Sequence, residues 1–140
     1  MAHPPWSLPR AAAIAIGGVA GAGARWGVLV TVEPPGRFPW AVLLVNVVGS
    51  VLLGVLLAEE WNRPAARMLL HDGGAIGFCG GLTTFSTFTL EVVNLTRAGD
   101  AGVAVVYGVS SVALAVGGVV AGAAALRRVR SIGLPLEEEP

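Results

Sequence analysis

The sequence predicts an all-α integral membrane protein with four transmembrane helices per subunit. Three observations predict it. Of 140 residues, 54% are hydrophobic and only 13% are charged, whereas a soluble domain carries about a quarter charged residues. Four apolar runs are each long enough to cross a bilayer, which takes about 20 residues. The connectors between them are short and hold a charge, a proline or a glycine, as water-facing turns do.

The first run covers residues 11–32, AAAIAIGGVAGAGARWGVLVTV, with Arg25 inside it. It is too long for the apolar part of a signal peptide and carries an internal arginine, which argues against that reading. The second, residues 38–58, has no charge. The third extends over about 68–95, and its charge-free part, 73–90, is interrupted by glycines. The fourth, 101–126, is the longest charge-free run. Residues 1–10 and 127–140 read as N-terminal and C-terminal tails around one four-helix transmembrane domain, 11–126. GxxxG-like spacings at Gly17/Gly21 and Gly118/Gly122 point to close helix–helix packing.

Composition also excludes function classes. A single cysteine, Cys79, forbids an intramolecular disulfide and a cysteine-based zinc cluster. A formal net charge of zero gives no reason to expect nucleic acid. No acid–base pair, metal-ligand cluster or nucleotide loop stands out, so an enzyme is not expected. Cys79 reads as a small packing residue, and His3, His71 and Glu137–Glu139 as solvated groups. With four spans, Arg10, Arg63, Arg67, Arg127, Arg128 and Arg130 share one side of the membrane, and Arg37 and Arg97 the other. The positive-inside rule places both termini in the cytoplasm.

Polar groups within the apolar runs are the candidate functional residues, because each is costly there unless partnered. Arg25 is either a snorkelling arginine or a cation beside an anion pathway. Asn46, at mid-span, must hydrogen-bond to a neighbouring helix or to a permeating species. Ser50 lies four residues on and faces the same way. Tyr107, Ser110 and Ser111 form a hydroxyl stripe, serving as helix glue or as a pore lining.

The stretch GFCGGLTTFSTF, residues 77–88, is the most polar and least helical part of any span. Gly80-Gly81 invites a helix break. A break frees backbone groups that survive in a membrane only in protein or against a cavity. Phe85 and Phe88 share a face, and a phenyl edge is electropositive. Thr84 and Thr87 share a second face, and Ser86 adds a hydroxyl. Donors and ring edges without fixed charge suit a small anion; phenylalanines that merely pack are the plainer alternative.

GFCGGLTTFSTFTLE at 77–91, VNVVGS at 45–50 and GGVAGAGARW at 17–26 together resemble the CrcB/Fluc fluoride channels over roughly residues 11–126. The resemblance implies a dimer of four-helix subunits in opposite orientations in the cell membrane, with the third helix broken at the glycines. It implies a structural sodium ion at the dimer centre, on backbone carbonyls matching Gly80 and Thr83. Phe85 and Phe88 match the family's fluoride-facing rings and Asn46 its pore asparagine. Thr84, Ser86 and Thr87, with Tyr107, Ser110 and Ser111, match its pathway hydroxyls. Arg25 matches the first-helix arginine, and Glu91 an acid near a pathway end. Trp26, Val51 and the Trp40-Ala41 pair depart from the residues frequent in the family.

The implied activity is passive export of fluoride that lowers its toxicity in the cytoplasm. The second subunit is either another copy or an oppositely oriented paralogue, and the six-to-two arginine bias favours the paralogue. The main alternative, a small four-helix multidrug transporter, needs a carboxylate in its first span, where this chain has only Arg25.

Overall fold

The computed structural model describes residues 7–32, 36–59, 61 and 63–133. Among them every regular element is helical, and four helical spans are long and apolar enough to cross a membrane. The spans are Leu8–Thr31, Trp40–Ala58, Pro64–Arg97 and one beginning at Ala101. His3, Glu137–Glu139 and much of both expected tails lie outside the described residues.

Helix α1 is Leu8–Thr31 and α2 is Trp40–Ala58. Proline starts each: Pro9 lies in the first turn of α1 and Pro39 caps α2, where the missing N–H costs nothing. Helix α3, residues 64–82, begins with Pro64–Ala66, widens to a π-helix over Arg67–Cys79 and closes with Gly80–Leu82. Helix α4 is Phe85–Arg97 and α5 is Ala101–Gly133. Gly99, at φ +84°, makes the tight turn between them, a conformation that favours glycine.

Two boundaries differ from the sequence expectation. Helix α1 begins at Leu8, inside the expected N-terminal tail. Helix α5 runs past residue 126 to Gly133, because no proline or glycine interrupts 123–132 and arginine is a good helix former. Arg127, Arg128 and Arg130 also suit the negative end of a helix dipole.

Glycines set which helices touch. Helix α1 packs on α3, and α2 packs on α5. A Cβ on Gly17 would collide with the carbonyl oxygen of Gly73, one on Gly21 with that of Phe78, and one on Gly81 with that of Gly18. On the other seam, a Cβ on Gly54 would meet the Val119 carbonyl, and one on Gly122 the Val51 carbonyl. Both GxxxG-like spacings therefore mark close backbone contact, the means by which helices associate without a hydrophobic drive in lipid.

Ion pairs tie the bundle at its ends. Arg10 Nε donates to Asp72 Oδ2 at 2.7 Å and Nη2 to Oδ1 at 3.1 Å. Asp72 is 2% exposed, and His71 Nδ1 lies 3.0 Å from its Oδ1. His71 is thus a partner of a buried carboxylate rather than a solvated group. Arg130 pairs with Glu59, and Arg37 with Asp100. Each pair joins residues that a four-span topology places at the same end.

Candidate functional site

The helical path of the third span is interrupted at Thr83 and Thr84. Thr83 has φ −77° and ψ 155°, and Thr84 has φ −149° and ψ 122°, both extended backbone. The sequence reading put the interruption at Gly80-Gly81, but Gly80 is helical at φ −64° and ψ −35°. Gly81 is occupied otherwise, since it packs on α1. The β-branched threonines that follow are the residues stiff enough at χ1 to prefer extended backbone.

Side chains from two other helices satisfy the freed backbone. Asn46 Nδ2 donates to the Thr84 carbonyl at 3.1 Å, and Thr84 N–H donates to Asn46 Oδ1 at 2.8 Å. Arg25 Nη1 donates to the Thr83 carbonyl at 3.0 Å. The mid-span amide and the first-span cation, each open to two readings from sequence, both have backbone partners here. The Thr84 hydroxyl caps α4, accepting from Thr87 N–H at 3.2 Å and donating to Thr87 Oγ1 at 3.0 Å. Ser86 Oγ lies 3.3 Å from the same hydroxyl.

Beside the interruption is a cavity of about 250 Å³. Helix α2 contributes Asn46, Ser50 and Leu53; the extended pair contributes Thr83 and Thr84. Helix α4 contributes Phe85 and Phe88, and α5 contributes Ser111, Val112 and Ala115. Asn46, Ser50 and Leu53 follow i, i+4, i+7 spacing, which puts them on one helix face. No charged side chain is among these lining residues. The walls are apolar and the polar groups few, the usual make-up of a small-ligand site.

Aromatic rings continue from the cavity along the bundle. Phe85 and Phe88 have centroids 5.7 Å apart. Phe88 lies 5.4 Å from Tyr107, and Tyr107 meets Phe38 edge-on at 5.4 Å. Phe38 in turn packs 4.5 Å from Trp40. Phe38 also lines a second cavity of about 180 Å³ that holds Arg37 and Glu91. Phe88, Tyr107 and Phe38 pack with Leu43, Leu95 and Ala104 into the buried core.

The hydroxyls of Tyr107 and Ser111 are buried and make no hydrogen bond to any described group. Buried polar groups are nearly always partnered; these two lie one turn apart, near enough to act on each other, and of the two only Ser111 lines the cavity. Ser110, by contrast, bonds back to the Tyr107 carbonyl at 3.2 Å and does not line the cavity. Thus Asn46, Thr83, Thr84, Phe85, Phe88 and Ser111 come together. Arg25 holds the backbone beside them, Thr87 holds the Thr84 hydroxyl, Glu91 belongs to the second cavity, and Gly80 and Ser86 are exposed. Leu53, Val112 and Ala115 were not singled out by the sequence reading; their only signal was helical spacing from polar neighbours.

For a metal, the described residues hold no group of three or more His, Cys, Asp or Glu side chains. The backbone is the remaining donor set. Thr84 N–H, which in a continuous helix would bond the Gly80 carbonyl, goes to Asn46 instead. The Gly80 carbonyl lacks that helical donor, and the Thr83 carbonyl, with two lone pairs, accepts one bond from Arg25. Both fit a hard cation held by carbonyl oxygens.

Residues 12–123 match the model of the family described as CrcB-like protein, Camphor Resistance (CrcB). Relatives named "Fluoride-specific ion channel FluC" are similar over most of their length. That of Nitrobacter winogradskyi is 41% identical over 116 residues, 79% of this chain and 89% of the relative. That of Cereibacter sphaeroides is 42% identical over 121 residues, 81% of this chain and 91% of the relative. That of Novosphingobium aromaticivorans is 40% identical over 129 residues, 87% of this chain and 99% of the relative.

Proposed function

The chain belongs to the CrcB-like family, and from that membership we propose that it is a fluoride-selective ion channel, a multi-pass membrane protein that exports fluoride passively. The observation that carries this reading is the cavity beside Thr83–Thr84. It offers hydroxyls and ring edges to a small anion and no fixed cation to trap it.

The mechanism follows from that lining. A desolvated anion needs donors; Ser111 presents its hydroxyl in the lining, and the Tyr107 hydroxyl lies one turn behind it. The Phe85 and Phe88 edges add weak positive potential. Apolar walls keep water out, so each donor counts for more than in solution. Arg25 supplies positive potential from beneath the Thr83 carbonyl without lining the cavity. Binding too weak to trap the ion is what conduction requires. An inside-negative potential is worth about 2.3 kcal/mol per charge per 100 mV, which drives fluoride outward without ATP.

The assembly we propose is a dimer of oppositely oriented subunits. Its support is the surface around the interruption. Phe85 is 79% exposed, and Gly80 and Ser86 are exposed as well. Freed backbone and hydroxyls facing lipid are not viable, so a second subunit is the natural cover. At such a centre the carbonyls of Gly80 and Thr83 would hold a structural sodium ion, whose role is to neutralise inward-pointing carbonyl dipoles. The partner is a second copy or a paralogue of opposite arginine bias. Recovery of an active antiparallel dimer from this chain expressed alone would remove the need for a paralogue.

Fluoride efflux from liposomes holding the purified chain, read with a fluoride electrode and with chloride as control, tests the function. Rapid fluoride loss with little chloride loss is expected. Equal loss of both ions, or none after co-expression with a paralogue, would overturn it.

A further inference from the structure

Asn46 spends both ends of its amide on the backbone of one residue, Thr84. Oδ1 takes the Thr84 N–H at 2.8 Å and Nδ2 gives to the Thr84 carbonyl at 3.1 Å. This is the pattern with which a neighbouring strand holds an extended residue, supplied here by a side chain. The last backbone bond of the preceding helix is Thr83 N–H to the Cys79 carbonyl, at 3.0 Å. The next in that series would be Thr84 N–H to the Gly80 carbonyl. Asn46 intercepts it.

We propose that Asn46 is a positioning residue that keeps the third span open by diverting the Thr84 N–H from the Gly80 carbonyl. The proposal rests on the channel reading for its purpose, but its geometry stands without it. Diversion leaves the Gly80 carbonyl without its helical donor on a residue that is itself exposed. That is the condition a carbonyl must meet to face a cation or a second subunit. Arg25 takes the Thr83 carbonyl from the opposite helix, so α1 and α2 divide the interruption between them. A primary amide offers a donor and an acceptor at this reach. Aspartate keeps the acceptor for Thr84 N–H, and leucine keeps neither.

The test is carbon-13 and nitrogen-15 NMR of the full chain in lipid bilayers, reading the Gly80 carbonyl and the Thr84 Cα and Cβ. In Asn46→Leu the Thr84 N–H is released to Gly80. The Gly80 carbonyl should move downfield, and the Thr84 carbons should move from extended towards helical values. In Asn46→Asp the carboxylate still accepts from Thr84 N–H, so the Gly80 carbonyl should stay at its wild-type position while the Thr84 carbons respond to the lost donor; a carboxylate in the cavity repels fluoride, and flux is lost in both variants. Should Asn46→Leu fail to fold, Asn46→Ser, whose hydroxyl is too short to reach Thr84, is read in the same way. Unchanged Gly80 and Thr84 signals in the leucine and serine variants would overturn the proposal. So would equal shifts of the Gly80 carbonyl in the aspartate and leucine variants. Wild-type efflux is measured separately, so a failed channel reading and a failed positioning role are distinguishable.

Discussion

Tyr107 and Ser111 bury their hydroxyls one helical turn apart on α5, and neither finds a hydrogen-bond partner among the described residues. Tyr107 is 0% exposed. Its ring is well used, against Phe38 on one side and Phe88 on the other. Only the oxygen lacks a partner, and a bare buried hydroxyl costs stability.

Tyr107→Phe and Ser111→Ala should therefore separate stability from flux. Each removes an unpartnered oxygen while keeping the packing around it. The thermal midpoint should hold or rise, by the equivalent of up to about 1 kcal/mol. Fluoride efflux should fall in Ser111→Ala, which removes a hydroxyl from the lining, and in Tyr107→Phe, which removes the hydroxyl one turn behind it. Thermal unfolding in detergent and liposome efflux are the two measurements. A loss of stability with efflux intact would mean that the hydroxyls serve the fold.

The two phenylalanines should answer differently to one substitution. Phe85 is exposed at the cavity mouth, so Phe85→Ile should leave the fold of the subunit unchanged. Phe88 packs on Tyr107 in the core, so Phe88→Ile should cost about 1 kcal/mol of stability, the typical worth of a ring pair. Both should cut fluoride efflux by about tenfold or more, since a loss of about 1.4 kcal/mol at the ion is a factor of ten. Unchanged efflux in both variants would exclude a role for these rings in the pathway.

The glycine seam between α1 and α3 should tolerate no methyl group. A Cβ on Gly21 would collide with the Phe78 carbonyl, and backbone cannot step aside as a side chain can. Gly21→Ala should cost about 1–3 kcal/mol, the range for overpacking, and broaden the gel-filtration peak. Gly23→Ala is the control. Nothing lies within 4 Å of its Cβ position, and alanine favours the helix by up to about 1 kcal/mol over glycine. Equal midpoints for the two variants would refute the seam.

Much of this architecture was legible in the sequence because a bilayer leaves few options. A span needs about 20 apolar residues, so the four runs, the short connectors and the paired glycines could be read directly. The shared face of Asn46 and Ser50 followed from helical spacing. The place of the interruption did not follow. Glycine signals both a helix breaker and a close contact, and Gly81 serves the second use. The convergence of Ser111 with Asn46 was equally hidden, because it depends on how α2 meets α5. The pairing of Asp72 with Arg10 leaves no periodic trace, since the residues are 62 apart in sequence.

That pair gives a last expectation. Asp72 is a carboxylate buried where α1 meets α3, held by two hydrogen bonds from Arg10 and one contact with His71. Removing one member of a buried pair leaves the other uncompensated, whereas replacing both with apolar groups is often neutral. Arg10→Met should therefore lower the thermal midpoint more than the double variant Arg10→Met/Asp72→Leu. His71 cannot replace the guanidinium, because it meets only one of the two carboxylate oxygens, Oδ1, at 3.0 Å. The pair lies outside the cavity lining, so the double variant should keep fluoride efflux near the wild-type rate. Thermal unfolding of both variants in one detergent decides it. A double variant at least as destabilised as the single would show that the pair contributes packing rather than charge balance.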